Sequence, residues 1–180
     1  MRKVCFLILF VPLLLPGQAK KSVASPWGPL ETLAGQWQGT NQGEPGHGTV
    51  ERRYEFLFEK KFLQVTNNST YPPQEKNPKG EAHHDVGLFS YDKERDKLIL
   101  RQFHSEGFVN EYVLDGVTPD GKKISFVTER IENIPAGWRA RETYTIVNDH
   151  EFIERFELAE PGKEFAVYTE SVLKRKQEAK

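Results

Sequence analysis

The stretch Leu33-Ala34-Gly35-Gln36-Trp37-Gln38-Gly39-Thr40 sets a tryptophan between two glycines. Gly35 lets the chain turn sharply, and Gly39 lets another backbone or a ligand come close. Trp37 is large, apolar and rigid, which suits the plug at one end of a β-barrel. From Thr40 onward the chain is a series of short segments able to wrap around such a plug.

Thr49–Phe58 sets Val50, Tyr54, Phe56 and Phe58 on one face, with Arg53 and Glu55 on the other. That is the two-residue period of a strand. Lys61–Ser69, Ala82–Tyr91, Leu98–His104, Phe108–Leu114 and Lys123–Ile131 read alike. Trp138–Val147, Glu151–Leu158 and Glu164–Leu173 complete the series. Tyr71-Pro72-Pro73 through Pro78-Lys79-Gly80, Thr118-Pro119-Asp120-Gly121 and Pro135-Ala136-Gly137 punctuate it as turns and loops. No long segment repeats apolar residues at i, i+3, i+4 and i+7, which argues against an α or α/β class. About ten strands joined by short turns predict an antiparallel meander, and the lack of helical crossovers excludes a parallel sheet. Such a set stacks as a sandwich or closes as a barrel with a ligand cavity. The expected fold is all-β, a single antiparallel barrel over residues 33–175.

Upstream, Arg2 and Lys3 precede the apolar run Val4–Leu15, and Gly17-Gln18-Ala19 offers a small-x-small cleavage site. That pattern predicts a secretory signal peptide over residues 1–19, with a secreted or periplasmic product. The run is too short, and Pro12 too awkward, for a permanent span, so no transmembrane segment is expected after cleavage. Residues 20–32 read as a polar lead-in ending in a short helical turn, and residues 176–180 as a polar tail. Of 25 basic and 26 acidic side chains, only Arg2 and Lys3 leave with the signal, so the remainder is weakly acidic. That balance argues against nucleic acid as a partner. The single cysteine, Cys5, also leaves, which excludes disulfides and thiolate chemistry from the mature chain. Asn67-Asn68-Ser69-Thr70 carries two overlapping glycosylation sequons, relevant only in a eukaryote.

Gly35-x-Trp37-x-Gly39 ahead of an antiparallel meander resembles the calycin-like barrels: lipocalins, fatty-acid-binding proteins and nitrobindin-type haem-binding barrels. Exported bacterial domains of unknown function are the nearest match among them. The resemblance covers the mature chain as architecture and this one motif as sequence. It implies that a basic side chain near the last strand, Arg175 or Lys174, stacks over Trp37 and closes the barrel. In the nitrobindin group it implies haem held by a histidine in a late strand. Here the only histidine after His104 is His150, in the turn-like Asn148-Asp149-His150-Glu151, so that ligand does not carry over. The Arg-x-Tyr pair of the fatty-acid-binding proteins is also missing from Phe165–Ser171.

His83-His84-Asp85, with His104 one hairpin later and His47 in an early Gly-rich loop, is the most conspicuous polar cluster. His83, His84 and His104 are weak metal-ligand candidates. Alternation sends His83 and His84 to opposite faces, and no fixed ligand spacing is present, so locally hydrogen-bonded histidines are the default and no metal is assigned. His104-Ser105-Glu106 lies on one tight turn and cannot assemble a nucleophile, base and orienting acid. No catalytic residue is assigned. Arg139 and Arg141 share one face, either solvated or turned into a cavity toward an acidic ligand group. Arg155 and Glu157 raise the same question and offer Arg141 a cross-strand partner. The aromatics either line a pocket or fill the barrel solid.

The expected function is an exported protein holding a small amphipathic or apolar molecule: a lipid, a fatty acid or a tetrapyrrole. Arg101, His104, Arg141, Tyr144, Tyr54 and Tyr112 are the candidate ligand-binding residues, and Gly35, Trp37, Gly39 and Arg175 the barrel-closing ones. The alternatives are a chamber enzyme or metal-binding protein using His83 or His104, and a solid structural barrel without a ligand.

Overall fold

The computed structural model describes residues 25–177; the expected signal peptide lies outside the described residues. A short 3-10 helix, Gly28–Leu33, leads into ten strands. They are β1 (Gly35–Gly43), β2 (Gly46–Leu57), β3 (Phe62–Tyr71), β4 (Glu81–Asp92) and β5 (Lys97–His104). Then come β6 (Val109–Val117), β7 (Lys123–Glu132), β8 (Arg139–Asn148), β9 (Glu151–Ala159) and β10 (Ala166–Arg175). Each pairs with its neighbours in sequence, and β10 returns to β1, so the sheet closes into an antiparallel meander barrel. Closure leaves no unpaired edge.

Gly39 makes that last seam possible. A Cβ there would lie 1.8 Å from the Val172 carbonyl oxygen on β10, so no other residue fits. Alternation then sends one set of side chains inward along every strand. In the half of the barrel near the 3-10 helix, those side chains pack solid. Trp37 and Phe152 meet edge-to-face at 4.7 Å, and Phe89 and Phe126 at 5.5 Å. Tyr54, Tyr112 and Tyr144 are fully buried among them. Phe58 is not part of this core: it is 72% exposed, in a turn where Phe58, Glu59 and Lys60 all take positive φ. Phe62 and Phe103 also face outward.

The 3-10 helix caps this end. Trp27, Leu30 and Leu33 are buried in the same core, so the lead-in contributes to the barrel from Trp27 onward. Trp27 Nε1 donates to Lys60 O at 2.8 Å, and Trp37 Nε1 to Leu33 O at 2.7 Å. The Arg175 guanidinium lies 4.1 Å from the Trp37 ring centroid and donates to Ala34 O and Thr32 O at 2.7 and 2.6 Å. Those bonds satisfy carbonyls at the end of a helix too short to satisfy them itself. Gly35, at φ 127°, gives the guanidinium room, since a Cβ there would sit 2.6 Å from Arg175 Nη1.

Candidate functional site

The opposite half of the barrel is hollow. A cavity of about 450 Å³ opens at the end formed by the hairpins after β1, β3, β5, β7 and β9. That volume falls within the usual range for small-molecule sites. The barrel is therefore solid at one end and hollow at the other, which joins the two accounts that the aromatic content allows.

Strand register explains which side chains meet there. Asn67 on β3 stands opposite Asp85 on β4, and Asp85 stands opposite His104 on β5. His83 lies two residues before Asp85 and so shares its inward face. His83 Nδ1 is 2.7 Å from Glu106 Oε1 and its Nε2 is 3.2 Å from Asp85 Oδ2. Asn67 Nδ2 donates to Asp85 Oδ2 at 2.5 Å. The His104 ring stacks on Phe108 at 4.1 Å between centroids, with Nδ1 3.4 Å from His83 Nε2. Its Nε2 lies 3.3 Å from the side-chain amide of Asn110.

Two imidazoles side by side take opposite protonation states. Burial works against a charge on His83, but the hydrogen bonds to Asp85 and Glu106 outweigh it and raise the ring to about 9. Burial dominates at His104 and pushes it down to about 4, with Asp85 offsetting only part. Burial would raise Asp85, yet the bond from His83 and the charge of Arg52 hold its carboxyl below the usual range.

Deeper in, Arg52 on β2 reaches across the lumen to Glu154 on β9, in a pair buried on both sides. Glu142 on β8 is fully buried, and burial beside the Glu154 charge pushes its carboxyl well above the usual range. Oxygens of Asp85, Gln102 and Glu142 are buried there without a hydrogen-bond partner. Ile131, Ile134, Trp138, Phe156 and Leu158, with Phe108 stacked on His104, give the cavity its apolar lining. The cavity lining combines charged and apolar side chains.

Of the residues singled out in the sequence, His104 and His83 line the cavity. His84 does not: it faces outward, with Nδ1 2.7 Å from Asn68 Oδ1. Arg101 and Arg141 do not line the cavity: their positions on β5 and β8 alternate with the inward-facing Gln102 and Glu142 and put both on the outer face of the sheet. Arg101 pairs with Glu111 at 2.7 Å on the outer face, and Arg141 with Glu157 at 2.6 and 2.7 Å. Arg155 pairs with Glu170. Tyr54, Tyr112 and Tyr144 face inward but lie in the solid half beneath the cavity, so none of them lines it. His47 is exposed, and His150 sits in the β8–β9 turn, where its carbonyl accepts from Arg175 N at the closed end, far from the cavity. Arg52, Glu142, Glu154, Asn67, Gln102 and Asn110 were missed. Alternation alone marks them, since each keeps step with an inward aromatic on its own strand or with an inward neighbour across the ladder.

A closed antiparallel meander barrel with a cavity open at one end defines a calycin-type ligand-binding barrel. More narrowly, the chain belongs to the family described as the THAP4-like, heme-binding beta-barrel domain, whose model matches residues 27–175. Among solved structures it is similar to that of Rv2717c from M. tuberculosis, with a TM-score of 0.66 and 19% identity over 86% of this chain and 99% of that one. A redesigned beta barrel matches at a TM-score of 0.44 and 11% identity, over 83% of this chain and 96% of that one. No curated protein matches the chain.

The cavity residues do not fit the group that the family description names. The β9–β10 wall offers Glu154, Phe156, Leu158, Tyr168 and Thr169, with no imidazole. The only cavity histidines among the described residues, His83 and His104, stand 3.4 Å apart, and the same His83 nitrogen is 3.2 Å from Asp85. A porphyrin plane needs open space around the nitrogen that binds its iron, and this crowding denies it. Glu81 and Glu106 line the mouth, where haem propionates would call for basic side chains.

Proposed function

We propose that this barrel is a binding protein for a small amphipathic molecule whose polar group is neutral and donor-rich, or cationic. The observation that carries the reading is the charge of the polar lining. Arg52 and His83 share the cavity with five acidic side chains, Glu81, Asp85, Glu106, Glu142 and Glu154. Among the lining atoms the unpartnered oxygens of Asp85, Gln102, Asn110 and Glu142 outnumber the one unpartnered donor, Arg52 Nη1. A ligand that donates hydrogen bonds satisfies them, whereas a fatty-acid carboxylate adds repulsion. The apolar lining of Phe108, Trp138 and Leu158 supplies burial for the rest of the molecule.

The test compares three probes on the purified chain: a dansyl-labelled alkylamine, a fatty acid with the same label, and haemin. Saturable one-to-one binding of the amine, at least about tenfold tighter than the acid, is the expected result, a difference of about 1.4 kcal/mol. Haemin is expected to give no shifted Soret band. Trp138→Ala should weaken the amine. Tighter binding of the acid, or a haem spectrum with an axial ligand, overturns the reading.

We further propose that the protein works outside the cytoplasm, secreted or periplasmic, after cleavage behind Ala19. The basic start, the apolar run and Gly17-Gln18-Ala19 support this. N-terminal sequencing of exported protein should begin at Lys20; a retained Met1 would refute cleavage.

A further inference from the structure

We propose that His83, Asp85 and His104 form a site for one divalent transition-metal ion of the zinc class, open to the cavity. This site does not depend on the amphipathic-ligand reading. One donor atom from each residue lies within 4.8 Å of the others. His83 Nε2 is 3.2 Å from Asp85 Oδ2 and 3.4 Å from His104 Nδ1. Two ligands each about 2.0–2.1 Å from a tetrahedral ion stand about 3.4 Å apart, so two edges of the triangle already have the length a bound ion requires. The same crowding that keeps out a macrocycle suits a bare ion.

The donor set selects the metal class. Two imidazoles and one carboxylate favour zinc, cobalt, nickel or ferrous iron over calcium and magnesium, which prefer oxygen alone. Each donor residue is also held from behind. Glu106 Oε1 is 2.7 Å from His83 Nδ1, the carboxylate–imidazole–metal arrangement that orients a ligating histidine. Asn67 fixes the Asp85 carboxylate at 2.5 Å. Asn110 faces His104 Nε2 and leaves Nδ1 as the atom facing the site. Asp85 Oδ1 is buried without a partner, and a cation beside the carboxylate satisfies it. Asp85 itself is 7% exposed. Three protein ligands leave a fourth position for water or for a donor atom of whatever occupies the cavity.

The test uses the purified chain, stripped with chelator and then titrated with Co²⁺, followed by Zn²⁺ competition in a calorimeter. One ion per chain is expected, with the visible bands of four-coordinate cobalt. His83→Gln and His104→Gln should each weaken binding at least about 100-fold. Glu106→Gln should weaken it about 10–100-fold while keeping the stoichiometry. His84→Gln, on the outer face, should change nothing. Ring-proton NMR of the unsubstituted chain guards against misfolded variants: Zn²⁺ should shift His83 and His104 and leave His47, His84 and His150 in place. No stoichiometric ion, binding that survives both substitutions, or shifts confined to the outer histidines each overturns the site. Dye binding without metal binding would overturn this site and leave the ligand reading standing.

Discussion

Arg52 on β2 and Glu154 on β9, with β1 and β10 between their strands, meet inside the barrel, Nη2 to Oε1 at 2.8 Å and Nε to Oε2 at 3.1 Å. Burial opposes the Arg52 charge, and Glu154 more than offsets it, so the guanidinium is held charged. The pair ties β2 to β9 through the lumen, just above the solid core.

Breaking that pair should be costly, and replacing it whole should not. Glu154→Leu leaves a buried guanidinium uncompensated and should cost about 3–5 kcal/mol in urea unfolding. Arg52→Met combined with Glu154→Leu should recover most of the loss, since well-packed apolar residues often match a buried ion pair. A double variant as unstable as the single one would contradict this.

In chelator-treated protein the two cavity histidines should bend the pH profile in opposite directions. His83 is raised to about 9 from 6.5, so its contribution is complete below about pH 6.5 and is lost as pH rises through about 9. His104 is lowered to about 4, so stability falls as pH drops from about 6.5 through about 4. A maximum near pH 6.5 follows in urea midpoints. The His83 limb should span about 2 kcal/mol once solvent on its open side is allowed for. His83→Gln should flatten the alkaline limb and His104→Gln the acid one.

Trp37→Ala removes a fully buried indole and should cost about 3–5 kcal/mol. Arg175→Lys keeps the charge but loses the planar fork that reaches both Ala34 O and Thr32 O, and should cost about 1–2 kcal/mol. Neither should alter probe binding at the far end. Loss of binding with stability intact would place the site at the wrong end of the barrel.

Gly39→Ala tests the seam. A methyl group pressed onto Val172 O must push β10 away from β1, and the expected loss exceeds about 3 kcal/mol, with faster amide exchange along both strands. Gly107→Ala has nothing within 4 Å of its added Cβ. Its own penalty comes only from its left-handed φ of 91° and should be about 1 kcal/mol.

The fold was legible because period-2 alternation and turn residues are local signals. Trp37 and the ten strands follow from them. The site was legible only in part. His83 and Asp85 share a face by simple parity, and the same parity, carried from Tyr54 back to Arg52, puts a charge inside the barrel. A charge at an inward position reads as an exception until its partner is known, and Glu154 lies 102 residues away. The opposite error befell Arg101 and Arg141. Their chemistry invites a ligand, yet each has an acidic neighbour on the adjacent strand and an outward position, as surface pairs usually do. Which half of the barrel is hollow depends on how ten strands stagger, and no local pattern carries that.

Arg175 holds Thr32 and Ala34, so the chain enters β1 and leaves β10 side by side, at the base of a cup whose rim is elsewhere. A tether or fusion partner joined directly at the entry to β1 or the exit from β10 would hang the cup mouth-outward. For the same reason, joining the ends with a short linker and reopening the chain at the Thr118–Lys123 turn, also at the base, should give a permuted protein with the rim untouched.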